Sequence, residues 1–110
     1  MLYQDKDLPE IEYFTKDKHC GLCSSNYEYH GPTLGDDFYP LTIELNWDEE
    51  TGLTRLEWTC YLDNNCELFF DHFVAEDVPF NEIDTEIKSA LNYRNEILKK
   101  HSPHYKIYQP

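Results

Sequence analysis

Residues 41–71 read LTIELNWDEETGLTRLEWTCYLDNNCELFFD and carry the most regular pattern in the chain. Apolar and polar residues alternate over 41–47, over 54–62 and over 66–74. Alternation with a period of two residues is typical of a strand that has one buried and one solvated face. The stretch therefore predicts three consecutive strands of one antiparallel sheet.

The two turns between these strands predict the register of the sheet. Gly52 supplies the positive φ that the last position of a four-residue loop favours, and Asn65 does so in a three-residue loop at 63–65. A slip of one residue would turn a whole apolar set toward water. This register places His72 on the apolar face, as a core histidine. The expected cross-strand pairs are Leu45 with Leu56, Ile43 with Trp58, Leu62 with Cys66, Cys60 with Leu68 and Trp58 with Phe70.

A C-terminal helix is predicted after the strands. Apolar residues recur at helical spacing over about 82–100, after the potential N-cap residue Asn81 and before the helix-breaking Pro103. We expect this helix, within 81–101, to cover the apolar face of the three-stranded antiparallel sheet. The expected fold class is therefore a two-layer α+β domain.

The first part of the chain lacks a sustained pattern. Residues 1–40 are rich in Gly, Pro and aromatic residues, which predicts an irregular N-terminal arm with a short strand near 11–14. Disordered segments are usually poor in aromatic residues, so we expect the arm to pack on the sheet. At 110 residues with 40% hydrophobic composition, residues 1–110 are predicted to form a single small acidic domain.

The formal net charge is −13, and most of it lies in the middle of the chain. Residues 41–84 hold 12 acidic residues and one arginine. Phosphate backbones and anionic lipids are bound by clustered Lys and Arg, so direct contact with nucleic acid or membrane is not expected.

No stretch approaches the roughly 20 apolar residues of a membrane span, and residues 1–14 are charged where a signal peptide would be apolar. We expect a cytoplasmic protein, in the host cytoplasm if it is viral.

In the predicted register three carboxylates form a row across the strands. Glu44 lies opposite Glu57, which lies opposite Asp71, and directly opposed like charges destabilise a sheet. The row is explained by screening in water and protection against edge pairing, by a divalent-cation site, or by a strongly basic partner. A flat row lacks the convergent oxygen ligands of a cation site. We favour the basic partner.

Further acidic and aromatic residues extend this predicted surface. Large apolar groups beside charges on a solvent face are typical of recognition surfaces. The predicted partner-binding residues are Glu44, Asp48, Glu49, Glu50, Glu57, Glu67, Asp71, Phe69 and Phe73.

The four cysteines permit a metal site. Cys20 and Cys23 form a CxxC pair, and Cys60 and Cys66 are candidates for the second pair of zinc ligands, with His30 able to replace one thiolate. Small buried thiols are the commoner case for residues such as Cys60 and Cys66. Acidic neighbours raise a thiol pKa, so a thiol enzyme is not expected. No cofactor is predicted, with a structural zinc as the open alternative.

Together these features predict a non-catalytic inhibitor that binds the basic nucleic-acid-binding surface of another protein, either an effector or a nuclease. Size, charge and the lack of a catalytic motif match the class of phage-encoded anti-defence proteins that imitate DNA, including anti-CRISPR and anti-restriction proteins. That is an analogy of class, not of motif. The alternatives are an immunity protein against a basic nuclease toxin and a zinc-stabilised structural or adaptor module.

Overall fold

Five strands and a C-terminal helix form the structure, a computed structural model. It describes residues 2–18, 23–31, 41–61 and 70–101, and at 17–18, 60–61, 70–71 and 98–101 only the backbone. The strands are β1 (Phe14–Lys18), β2 (Ser24–Tyr29), β3 (Thr42–Trp47), β4 (Thr54–Tyr61) and β5 (Phe70–Val78), and the helix is α1 (Ile83–His101). Two 3₁₀ turns, Asp5–Asp7 and Phe80–Glu82, complete the described secondary structure.

The strands form one antiparallel sheet in the order β1-β2-β3-β4-β5. This confirms an α+β fold with an antiparallel sheet and a C-terminal helix, but the sheet has five strands and not three. The two additional strands come from the segment that was predicted to be an irregular arm. In β2 the inward residues are Ser25, Tyr27 and Tyr29, so the buried face is built from tyrosines and a serine and gives little hydropathic alternation. The strand expected near 11–14 begins instead at Phe14.

The predicted pairing of β3 with β4 is confirmed. Leu45 lies opposite Leu56, and Ile43 lies opposite Trp58. In the turn, Gly52 has a φ of +73°, and the backbone N–H groups of Glu50 and Thr51 donate to a carboxylate oxygen of Asp48 at 2.8 and 2.9 Å. A carboxylate that holds a turn in this way fixes the loop length, and with it the register.

The predicted pairing of β4 with β5 is wrong by three residues. Trp58 lies opposite Phe73 and not Phe70, and Cys60 lies opposite Asp71. An odd shift exchanges the two faces of a strand, so Phe73 points toward the core and His72 is exposed. The three-residue loop had been assumed at 63–65, whereas the strands end and begin at residues 61 and 70. The expected pairs of Leu62 with Cys66 and of Cys60 with Leu68 involve residues outside the described ranges.

A β-bulge interrupts β5 near its end. Leu56 pairs with Ala75 and Thr54 pairs with Val78, so two residues of β5 lie opposite the single residue Arg55. One of the two, Asp77, has a φ of 56°. Aspartate tolerates this left-handed conformation better than most residues. The regularly paired part of β5 is therefore 70–75.

One face of the sheet, which we call the inner face, carries the core. Helix α1 contributes Ile83, Ile87 and Ile97, all at most 9% exposed, as the apolar stripe predicted. The chain before β1 adds Leu8 and Ile11 to the same cluster. Among the described side chains, the inner face of the sheet includes Phe14, Ser25, Tyr27, Tyr29, Leu41, Ile43, Leu45, Trp47, Thr54, Leu56, Trp58, Phe73, Ala75 and Val78.

The segment before β1 is held to the inner face by hydrogen bonds as well as by packing. The hydroxyl of Tyr27 donates to the carbonyl oxygen of Pro9 at 2.6 Å, and the indole Nε1 of Trp47 donates to that of Tyr3 at 3.0 Å. Buried polar groups are stable only when they are paired in this way.

Within the described residues, no helix has the length and apolarity needed to cross a membrane.

Candidate protein-binding surface

The face of the sheet opposite to α1, which we call the outer face, is polar. Its described side chains include four carboxylates and a single arginine. Alternation along the strands places them there, because the residues between them point to the inner face. The outer face comprises Thr15, Asn26, Glu28, Thr42, Glu44, Asn46, Arg55, Glu57, Thr59, His72, Val74 and Glu76.

Two carboxylates lie directly opposite each other at the centre of the outer face. Glu44 on β3 pairs with Glu57 on β4, as predicted. The third member of the expected row is not there, because Glu57 lies opposite Val74 and not opposite Asp71. On the other side Glu44 lies opposite Asn26 of β2. The acid row is therefore a pair of glutamates between an amide and a valine.

The two glutamates have different surroundings. Glu57 is held on both oxygens, because Arg55 Nη1 lies 3.0 Å from Oε1 and His72 Nε2 lies 2.5 Å from Oε2. Glu44 is exposed and has no hydrogen-bond or ion-pair partner among the described residues. Arg55 is shared, since its Nε also lies 3.4 Å from Glu76. Glu57 is thus held by two neighbours within the protein, whereas the carboxylate of Glu44 is available to another molecule.

The hydrogen bond from Arg55, followed by that from His72, holds the pKa of Glu57 below the usual range of a glutamate. A lowered pKa in the folded state stabilises the fold above the unfolded-state pKa, and this contribution is lost as the pH falls through the folded-state value. We therefore expect the free energy of unfolding to drop as the pH is lowered through the unfolded-state glutamate pKa of about 4.3 and further, and to drop less in Glu57→Gln. Denaturant unfolding of both proteins over this range measures the difference. Parallel curves would show that Glu57 makes no such contribution.

The remaining predicted partner-binding residues have different outcomes. Asp48, Glu49 and Glu50 are exposed in the turn between β3 and β4, and backbone N–H groups lower the pKa of the Asp48 carboxyl. Phe73 is a correction: it is on the inner face, where its ring stacks on Trp58 at a centroid distance of 4.1 Å. Of Asp71 only the backbone is described. Glu67 and Phe69 lie outside the described residues.

The predicted zinc ligands are only partly within the described chain. Cys23 has a half-buried thiol, whose pKa is raised by burial and then by the charges of Glu49 and Asp48. Cys60 pairs through its backbone with β5, while Cys20 and Cys66 lie outside the described residues. Over 2–18, 23–31, 41–61 and 70–101, no group of three or more His, Cys, Asp or Glu side chains is arranged to hold a metal ion.

Two interactions were not anticipated from the sequence. His30, considered as a zinc ligand, has its Nε2 2.8 Å from Oγ1 of Thr15. The Arg55, Glu57 and His72 cluster was missed because His72 had been assigned to the core. A different β4–β5 register would have been needed to find it, and nothing local in the sequence marks that register.

Comparison of the chain with protein-family models, with curated proteins and with solved structures found no match.

Proposed function

We propose that this protein is a non-catalytic binding protein whose outer face meets a strongly basic surface of another protein. The proposed partner is a nucleic-acid-binding effector or nuclease, whose basic groove the acidic face would occupy in place of phosphates. On this proposal the protein is an inhibitor of the class to which anti-CRISPR and anti-restriction DNA mimics belong. The same surface would serve an immunity protein against a nuclease toxin.

The observation that carries the proposal is the direct opposition of Glu44 and Glu57 on an exposed sheet face. An isolated fold gains nothing from it, because like charges in opposite positions destabilise a sheet by a few tenths of a kcal/mol. Complementary charge on a partner would turn this cost into attraction, and it would also speed association. Support also comes from the net charge of −13, which disfavours nucleic acid itself as the ligand.

Glu44 is the residue on which the proposal is tested. We expect Glu44→Lys to weaken binding of the basic partner by about tenfold or more, because a lysine would face the partner's cations. Stability is expected to hold or to rise by a few tenths of a kcal/mol, since the lysine would lie opposite Glu57. The partner is obtained by affinity capture from native lysate and identified by mass spectrometry, and Kd is then measured with purified components.

The matched control is Glu12→Lys, which makes the same change of charge at an exposed position in the turn before β1. A general loss of negative charge would affect both variants equally, whereas a site at the outer face affects Glu44→Lys much more. The captured protein should also be released by competing duplex DNA. Equal affinities of wild type and Glu44→Lys, or a partner without a basic surface, would refute the proposal.

A further inference from the structure

The two edges of the sheet are protected to different degrees. At the β1 edge, Phe14 is only 8% exposed, because Leu8 and Ile11 from the preceding segment close the inner face. The Nζ of Lys16 also bonds the carbonyl oxygen of Leu8 at 3.3 Å. Three of the five residues of β1 are charged, which is a usual defence of an edge strand against pairing.

The β5 edge lacks these protections in the described part of the chain. There β5 pairs with β4 on one side and with no described strand on the other. The bulge limits its regular pairing to 70–75, and the second half of this stretch is Phe73, Val74 and Ala75. Val74 is 45% exposed on the outer face, and the other two are only partly buried on the inner face. An edge that combines a pairing strand with apolar side chains is suited to take up another strand.

Helix α1 provides an aromatic side chain that packs on β5. The ring of Tyr93 packs edge-on against Phe73 at a centroid distance of 4.9 Å, yet Tyr93 is 49% exposed. A strand added next to β5 would have its inward side chains near Phe73 and Tyr93, and its outward side chains near His72, Val74 and Glu76. Backbone pairing and apolar burial would thus act together, as in other cases of strand addition.

We propose that the β5 edge binds an extended segment of a partner protein in which basic residues alternate with apolar ones. The apolar residues would pack toward Tyr93, and the basic residues would lie along the outer face near Glu76, which is 67% exposed. This site consists of the edge of β5 and is separate from the centre of the outer face. A second copy of this chain would bring a net charge of −13 against the same charge, so charge complementarity favours a basic partner.

The proposal is tested with a fluorescent peptide in which arginine and valine alternate. The peptide has about six residues, which is the length of the regular part of β5. Successive N–H groups of a strand point to opposite edges, so all arginine N–H groups point one way and all valine N–H groups the other. Two further peptides carry N-methyl groups on every arginine or on every valine nitrogen. Strand addition predicts that one of them loses at least about tenfold in affinity while the other stays within about threefold. Equal affinities would show binding by charge alone and overturn the proposal.

Variants of the 110-residue chain locate the bound peptide, and binding is measured at about 0.15 M salt to limit long-range electrostatic effects. Tyr93→Ala is expected to lower the affinity for the unmethylated peptide by about fivefold. Glu12→Lys is expected to change this affinity by less than about twofold. A peptide with glutamate in place of arginine should not bind. Loss of binding in Glu44→Lys with full binding in Tyr93→Ala would place the peptide on the outer face and refute the edge site.

Hydrogen exchange separates a partner strand from a second copy. With peptide present, every other backbone amide over 70–75 should exchange more slowly, and sedimentation should show a monomer both with and without peptide. A peptide-free dimer in which these amides are already protected would mean that the edge pairs with itself, and it would overturn the proposal.

Discussion

Replacing Ile43 with alanine is expected to lower the free energy of unfolding by about 3 to 4 kcal/mol. Ile43 is 0% exposed and lies on β3, the central strand of five, opposite Tyr27 on one side and Trp58 on the other. Three methylene-sized groups would be removed from a position where large rings on both neighbouring strands cannot easily collapse into the gap. The cost therefore includes a cavity as well as lost hydrophobic burial.

Denaturant unfolding measures this effect, and Thr42→Ala is the matched control. Thr42 is the exposed neighbour on the same strand, so its replacement should cost less than about 1 kcal/mol. The free energy of unfolding of a small domain is only about 5 to 15 kcal/mol, so Ile43→Ala could remove much of it. Ile43→Val, with an expected cost of about 1 kcal/mol, provides a variant that folds. Costs of the same size at positions 42 and 43 would contradict the assignment of the inner face.

Replacing Gly52 with alanine is expected to lower the free energy of unfolding by about 2 kcal/mol, and for two separate reasons. Gly52 has a φ of +73°, where a side chain is strained. An added Cβ would also lie 2.7 to 2.8 Å from ring atoms of Tyr3. That ring packs on Phe80 at a centroid distance of 4.8 Å, so it cannot shift without losing this contact.

A double-mutant cycle separates the two causes. In a Tyr3→Ala background the clash is gone, and Gly52→Ala should cost only the backbone strain of about 1 kcal/mol. The clash should also loosen the chain before β1, because the N–H of Tyr3 donates to the carbonyl oxygen of Glu49 at 2.7 Å. Limited proteolysis near the N-terminus should therefore be faster in Gly52→Ala than in wild type. Identical costs in both backgrounds would show that Tyr3 does not rest on Gly52.

The β3–β4 hairpin was predictable because every local signal agreed. The alternation at 41–47 and 54–62, the acidic turn and Gly52 all support one register, and any slip would expose the apolar set. The pairing of Glu44 with Glu57, on which the proposed function depends, followed from that register. The apolar stripe of α1 was predictable for the same reason, since its spacing is helical throughout.

The register of β5 was not predictable because its sequence is ambiguous. Aromatic residues occur at positions 69, 70 and 73, so both faces of the segment are apolar and alternation does not distinguish them. The choice is made by contacts from distant parts of the chain: Phe73 stacks on Trp58 and meets Tyr93 of α1, while His72 reaches Glu57. The expected alignment of Asp71 with Glu57 was lost with the expected register.

Strands β1 and β2 were missed for a related reason. Their inner face is formed by Phe14, Tyr27 and Tyr29, and it becomes a core only because Leu8 and Ile11 pack over it from the preceding segment. The sequence by itself determined where the negative charge lies and how the central hairpin pairs, since both depend on neighbours in the chain. Only the tertiary structure decided which residues of β5 face water and which edge of the sheet is the less protected one within the described residues, because those depend on packing between segments that are distant in sequence.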